Sequence, residues 1–201
     1  MIATAEKILL NVGSGAPDGG QIPGMFASWR QVRVDIDPRV SPDIVADVTN
    51  LAAVAADSVD AVWISHCIEH LYEHDVPVAL REIQRVLKND GFGCILVPDL
   101  QRIASLIAED KMHDPLYTSQ AGPVTPHDIV FGFGPALARG HFTMAHKCGF
   151  TPTAMMRRLT AAGFGGYALL RRANYELAAV VRKTAWPDSR ERDALLATLG
   201  L

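Results

Sequence analysis

Residues 7–15 read Lys7-Ile8-Leu9-Leu10-Asn11-Val12-Gly13-Ser14-Gly15, a short apolar run that stops at two closely spaced glycines. A run of that length bounded by glycine reads as a buried strand. Glycines where a strand ends let the backbone turn sharply and let a ligand approach without Cβ interference. Taken alone, the pair is equally compatible with a purely structural turn. The third glycine of the G-x-G-x-x-G dinucleotide fingerprint is absent, because Asp18 occupies its place.

Downstream, Gln31 to Ile36 (QVRVDI) reads as a second strand closed by Asp37-Pro38, and Asp43 to Ala46 as a weaker third. Asp60 to Ser65 (DAVWIS) and Phe92 to Val97 (FGCILV) supply a fourth and a fifth. Between these two, the spacing of Val76, Leu80, Ile83 and Leu87 predicts a helix from Asp75 to Lys88. Asp75 is its expected N-cap, Pro77 sits in its first turn and Gly91 follows its end. A second amphipathic helix covers Asp99 to Glu109 and a third Thr151 to Ala162, with Gly163 as stop signal. Gly166 to Arg171 and Glu176 to Arg182 make a closing hairpin, ahead of a short charged tail or helix. Strands alternating with helices in this way specify an α/β fold, a mostly parallel sheet covered on both faces. At 201 residues the expectation is one domain, 1–201.

Lys111 to Gly149 breaks the pattern, with four prolines, five glycines, four of the seven histidines and little periodicity. A segment that long inside one domain is expected to be a lid or a substrate-binding insertion. The composition, 49% apolar and 20% charged with a net charge of −3, is that of an ordinary soluble globular protein. The slight acidity argues against nucleic acid as a partner, and the pairs Arg157/Arg158 and Arg171/Arg172 read as solvated faces. Cys67, Cys94 and Cys148 are scattered without a C-x-x-C, which fits a reducing compartment. The N-terminus shows no basic segment followed by an apolar run, and no apolar stretch approaches the roughly 20 residues that cross a bilayer. A cytoplasmic protein with no membrane partner is expected, its oligomeric state left open.

Several residues carry chemistry. Asp35, at the end of the second strand and 22 residues after Gly13, is placed to accept hydrogen bonds from the two ribose hydroxyls of an adenosine. Asp37 reads instead as a cap for the turn at Pro38. Ala46-Asp47-Val48 offers an acid for an adenine amino group beside an apolar residue for the ring, although a helix cap fits Asp47 nearly as well. His66, in Ser65-His66-Cys67-Ile68-Glu69-His70-Leu71, follows the fourth strand and would face the crevice at the switch point of the sheet. Glu69 and His70 read as helix-start residues. With a neutral imidazole near its working range, His66 is a candidate general base, as are His141 and His146 in the insertion. No Cys/His spacing supports a metal site, and none is expected.

Together, LNVGSG, VDIDP, ADV and SHCIEHL, followed by ALREIQRVLKNDGFGCILVPD, resemble the class I S-adenosylmethionine-dependent methyltransferases, particularly their small-molecule branch. The resemblance covers about Lys7 to Asp99, with a weaker echo after Gly163. It implies a Rossmann-like, doubly wound, three-layer α/β/α fold with seven strands, the last antiparallel. It implies S-adenosylmethionine as cofactor and a small-molecule acceptor. The cofactor set is Asn11, Gly13, Gly15, Asp35, Ile36, Asp47, Val48 and His66. Gly13 and Gly15 would approach the methionine part, Asp35 the ribose, Asp47 and Val48 the adenine, with His66 beside the methyl-transfer zone. Two features depart from the family: Asn11 stands where an acid is common, and Gly19-Gly20-Gln21-Ile22-Pro23-Gly24 leaves little room for the helix between the first two strands. A non-catalytic binding member of the same fold and a nucleotide-dependent oxidoreductase remain the alternatives.

Overall fold

The computed structural model describes residues 6–17, 22–119 and 121–201; Asp18, Gly19, Gly20 and Gln21 of the first loop lie outside them, as does Gln120. In chain order the sheet strands are β1 (Ile8–Val12), β2 (Arg30–Asp35), β3 (Ile44–Val45), β4 (Val59–Ser65) and β5 (Leu87–Pro98). Helix α1 (Val76–Val86) precedes β5, and α2 (Leu100–Ala108) follows it. A small hairpin of β6 (Tyr117–Ser119) and β7 (Gly122–Val124) leads to short helices α3 (Pro126–Phe131) and α4 (Gly134–Ala138). Helix α5 (Pro152–Ala161), strands β8 (Gly166–Arg171) and β9 (Glu176–Arg182), and helix α6 (Ser189–Leu199) complete the chain. The seven-stranded sheet has the order β3-β2-β1-β4-β5-β9-β8, and β9 runs antiparallel to both of its neighbours. The Rossmann-like α/β expectation, with its antiparallel last strand, is what the chain adopts.

The near-continuous apolar runs of β1, β4 and β9 belong to strands covered on both faces. Because side chains alternate along a strand, Leu10, Val12, Val62, Ile64 and Ile95 point to one face, under Leu80 and Ile83 of α1 and Met155 and Leu159 of α5. Leu9, Ala61, Trp63, Cys94 and Val180 point to the other. There, between β1 and β2, the described residues form only a 3-10 turn, Gly24–Phe26. Phe26 and Trp29 do the work of the helix usual in that place. Phe26 meets Trp29 edge to face at 5.1 Å, lies 6.3 Å from Trp63 and 6.1 Å from Phe92, and is joined by Leu199 of α6.

Helix α1 departs from its expected limits at both ends. Asp75 already has helical backbone angles, so its side chain makes no capping hydrogen bond. The helix stops at Val86 because Leu87 turns extended and opens β5, where Lys88 pairs with Asp60 at 2.8 Å. Gly91 is not a helix stop: a Cβ there would lie 2.9 Å from the Asp60 carbonyl, so it permits the approach of β5 to β4. By contrast α2 and α5 start where expected, and the side chains of Asp99 and Thr151 cap their first turns. The segment 111–149, expected to be irregular, holds the β6–β7 hairpin, α3 with a Thr125–Asp128 capping box, α4 and a 3-10 turn at Phe142–Met144. Elements of three to six residues are too short to show a helical or strand period in sequence.

The aromatic patch gives a prediction. Phe26→Ala removes a ring that is 5% exposed and should lower the unfolding free energy by about 3–5 kcal/mol, read from urea unfolding. A loss below about 1 kcal/mol would show that the turn does not substitute for a helix.

Candidate functional site

The carboxyl ends of β1, β2 and β4 meet where the strand order reverses, β1 having β2 on one side and β4 on the other. Both glycines after β1 adopt positive φ, +66° at Gly13 and +59° at Gly15. At Gly13 a Cβ would fall 2.7 Å from Cys67 Sγ, so only glycine lets the loop lie against the residue beyond β4. At Gly15 a Cβ would meet nothing within 4 Å among the described residues, and the space beside it is open.

Asp35 joins the two loops. Its Oδ2 accepts from the Gly15 amide at 2.8 Å and its Oδ1 from the Asp37 amide at 2.9 Å. Arg33, which carried no sequence signal, donates from one guanidinium to the carbonyls of Gly15, Val40 and Ser41. Asp37 caps the 3-10 turn Pro38–Val40 through the Arg39 amide, as expected, and hydrogen bonds from the Arg39 side chain and amide hold its carboxyl down at about 2. Asp47 accepts from the amide and hydroxyl of Thr49, both at 2.8 Å.

A cleft of about 400 Å³ opens over these ends. Gly13, Gly15, Asp35, Ile36, Asp47, Val48 and His66 all line it, so seven of the eight residues expected to hold the cofactor come together. Asn11 does not line it. Two residues along β1 from Leu9, it lies on the sheet face that carries Leu9 and Trp63, and it is buried there. His70, Cys67, Leu71, Thr143, Met144 and Lys147 complete the wall. Cys67 is no nucleophile: burial, with the charges of Glu69, Asp35 and Asp47, pushes its thiol up to about 12.

His66 has left-handed backbone angles, φ +50°, and its ring lies between two carboxylates, Nδ1 to Glu69 at 3.3 Å and Nε2 to Glu176 at 2.8 Å. Burial pulls its pKa down, but the hydrogen bonds to Glu176 and Glu69 outweigh that and raise it to about 10. Two flanking carboxylates favour the protonated ring and occupy both of its nitrogens, which weighs against the base expected at this position. His141 is exposed and lines neither cavity of the site. His146 lines a second, adjoining cavity of about 240 Å³ with Glu69, Leu100, Ile129, Phe131 and Lys147. Its Nδ1 donates to the Ile129 carbonyl at 2.7 Å, its ring meets that of His70 at 4.9 Å, and burial lowers its pKa. Glu69 and His70 sit in a 3-10 turn, Ile68–His70, rather than opening a longer helix.

Among known proteins, the family described as "Methyltransferase domain" matches residues 10–95. No curated protein matches the chain. Solved structures share the fold. A Pyrococcus horikoshii OT3 protein aligns with a TM-score of 0.58 at 16% identity, over 88% of this chain and 82% of its own. An S-adenosylmethionine-dependent methyltransferase of Archaeoglobus fulgidus aligns at 0.58 and 16%, over 89% and 87%. The 1,6-didemethyltoxoflavin-N1-methyltransferase of Burkholderia thailandensis, solved with 1,6-didemethyltoxoflavin and S-adenosylhomocysteine, aligns at 0.53 and 16%, over 89% and 72%. The glycine turn and Asp35 lie within the matched span, as does the cleft lining apart from Thr143, Met144 and Lys147; the chain is thus similar to methyltransferase domains over residues 10–95 and shares the fold of the solved S-adenosylmethionine-dependent methyltransferases.

Proposed function

We propose that the chain transfers the methyl group of S-adenosylmethionine to an oxygen or nitrogen of a small molecule held in the cavity beside the cleft. The observation that carries this reading is the adjacency of the two spaces, about 400 and 240 Å³, which share Lys147 as a wall. The smaller one has the size of a metabolite rather than a polymer, with apolar walls from Pro98, Leu100, Ile129, Val130 and Phe131. The Burkholderia neighbour, with its small heterocyclic acceptor, supports that class of substrate.

The cleft fits the cofactor. Gly13 and Gly15 would take the methionine part against bare backbone, Asp35 the ribose hydroxyls, Ile36 and Val48 the flanks of the adenine, and Asp47 its amino group. When bound, S-adenosylmethionine supplies a methyl group already activated by a positive sulfur. The chain has to align the acceptor and keep water out. Asp35, pinned to both loops, fixes the ribose end, while Ile129, Val130 and Phe131 of the 111–149 insertion close the acceptor side. The insertion is a lid in this reading. No helix among the described residues is long and apolar enough to cross a membrane.

Calorimetric titration tests the cofactor. S-adenosylhomocysteine should bind at micromolar levels or tighter and NAD at least a hundredfold more weakly; tight NAD binding without S-adenosylhomocysteine would favour an oxidoreductase instead. Asp35→Ala removes charge-assisted hydrogen bonds, each contributing about 1.5–3 kcal/mol, so the dissociation constant of S-adenosylhomocysteine should rise tenfold or more in a folded variant. An unchanged constant would leave Asp35 as a loop pin only. Hydrogen exchange tests the lid: amides of α3, α4 and residues 141–146 should gain protection when S-adenosylhomocysteine binds. Equal, strong protection with and without ligand would mean a rigid insertion.

A further inference from the structure

Where the two cavities adjoin, Glu69, His70 and His146 place one carboxylate oxygen and two imidazole nitrogens within 4.8 Å of one another. The geometry points to a divalent metal site at this junction, held by these three side chains and taking a cation of the zinc type. Glu69 is 1% exposed, and its Oε2 is buried with no hydrogen-bond partner among the described residues. A buried carboxylate oxygen without a donor is costly, and a cation satisfies it. The histidines are set up in a complementary way. His70 Nδ1 lies 3.1 Å from the Ala145 carbonyl and His146 Nδ1 lies 2.7 Å from the Ile129 carbonyl. A carbonyl only accepts, so in each ring Nδ1 carries the hydrogen and Nε2 keeps its lone pair. That is the tautomer and the outer support of a metal-binding histidine.

The backbone holds the set together. The amides of Lys147 and Cys148 donate to the Glu69 carbonyl at 2.9 and 3.2 Å, and that of His146 to the Phe131 carbonyl at 3.2 Å. The strand of chain bearing His146 is thereby sewn to the turn bearing Glu69 and His70. Two imidazoles and a carboxylate form a donor set suited to zinc and its neighbours, and three protein ligands leave a coordination position open. Ligand atoms around one tetrahedral zinc lie about 3.3 Å apart, closer than the 4.8 Å within which these groups gather, so the side chains have to draw in when a cation binds. Glu69 and His146 line the smaller cavity and His70 the cleft, so the open position faces the place where an acceptor would sit. A cation there would bind and polarise an acceptor oxygen. This last role rests on the methyl-transfer reading, whereas the site itself does not.

The test is metal binding by the full chain stripped with a chelator. Zinc should bind at one equivalent per chain with a micromolar or tighter dissociation constant, and cobalt(II) should give visible absorption bands of a low-coordinate nitrogen–oxygen site. Glu69→Gln and His146→Ala should each weaken binding at least tenfold, with S-adenosylhomocysteine titration as the check on folding. His141→Ala, at an exposed histidine nearby, should leave binding unchanged. X-ray absorption on the wild-type zinc form, which needs no variant, should show two imidazoles and no sulfur. Absence of stoichiometric binding, sulfur ligation through Cys148, or binding indifferent to the Glu69 and His146 changes would overturn the site. Loss of zinc binding with S-adenosylhomocysteine binding intact would leave the methyl-transfer reading standing; the reverse result would remove that reading and keep the metal.

Discussion

The cleft depends on a side chain that is not there. At Gly13, with φ +66°, any Cβ would be strained by the backbone and would collide with Cys67 Sγ. Because the position is glycine, the loops after β1 and β4 touch and the strand ends share one floor. With that contact made, the Asp35 carboxylate reaches the Gly15 amide and the Arg33 guanidinium reaches the Gly15 carbonyl. The loop is then held from both its donor and its acceptor side. A larger residue at this one place would part the loops and scatter every group that lines the crevice.

The polarity of that crevice follows from the same convergence. Glu69, Asp35 and Asp47 all act on the Cys67 thiol in the same direction, which reports a negatively charged floor. His66 is the cation set into it, and Glu69 and Glu176 hold it there. A floor of this sign favours a ligand with a positive centre, as a sulfonium has, over one that brings a pyrophosphate. On the proposed methyl-transfer reading, this charge would add an electrostatic preference to the one that shape provides.

Much of this was legible in the residues, and the limits have physical causes. The strands β1, β4, β8 and β9 announce themselves as apolar runs because each is buried on both faces or paired along its length, and Asp35 is marked by its distance from Gly13. β3 is only Ile44–Val45, too short to bound well. The end of α1 was misplaced because Leu87 suits a helix face and a strand equally, and pairing with Val59 decides it. The charge on His66 was invisible because Glu176 lies 110 positions away. Glu69-His70 and His146 likewise come together only through the fold; local spacing made the first pair look like the opening of a helix and the last a candidate base in the insertion. Asn11 stands apart from the other expected cofactor residues for a simpler reason: register along β1 sends it to the face that carries Leu9 and Trp63.

The sheet order has a consequence for how the molecule comes into being. β9 is the last strand in the chain, yet it occupies an interior place, between β5 and β8, and pairs Phe92 with Arg182. During synthesis the half of the sheet that carries the glycine turn emerges first, with β5 as an open edge of unpaired backbone. That edge is closed only after about ninety further residues have left the ribosome. Pairing over such separations is slow. The nascent chain thus spends a period with the apolar run of β5 at residues 94–97 open along one edge, a time when it is most in need of a chaperone's cover.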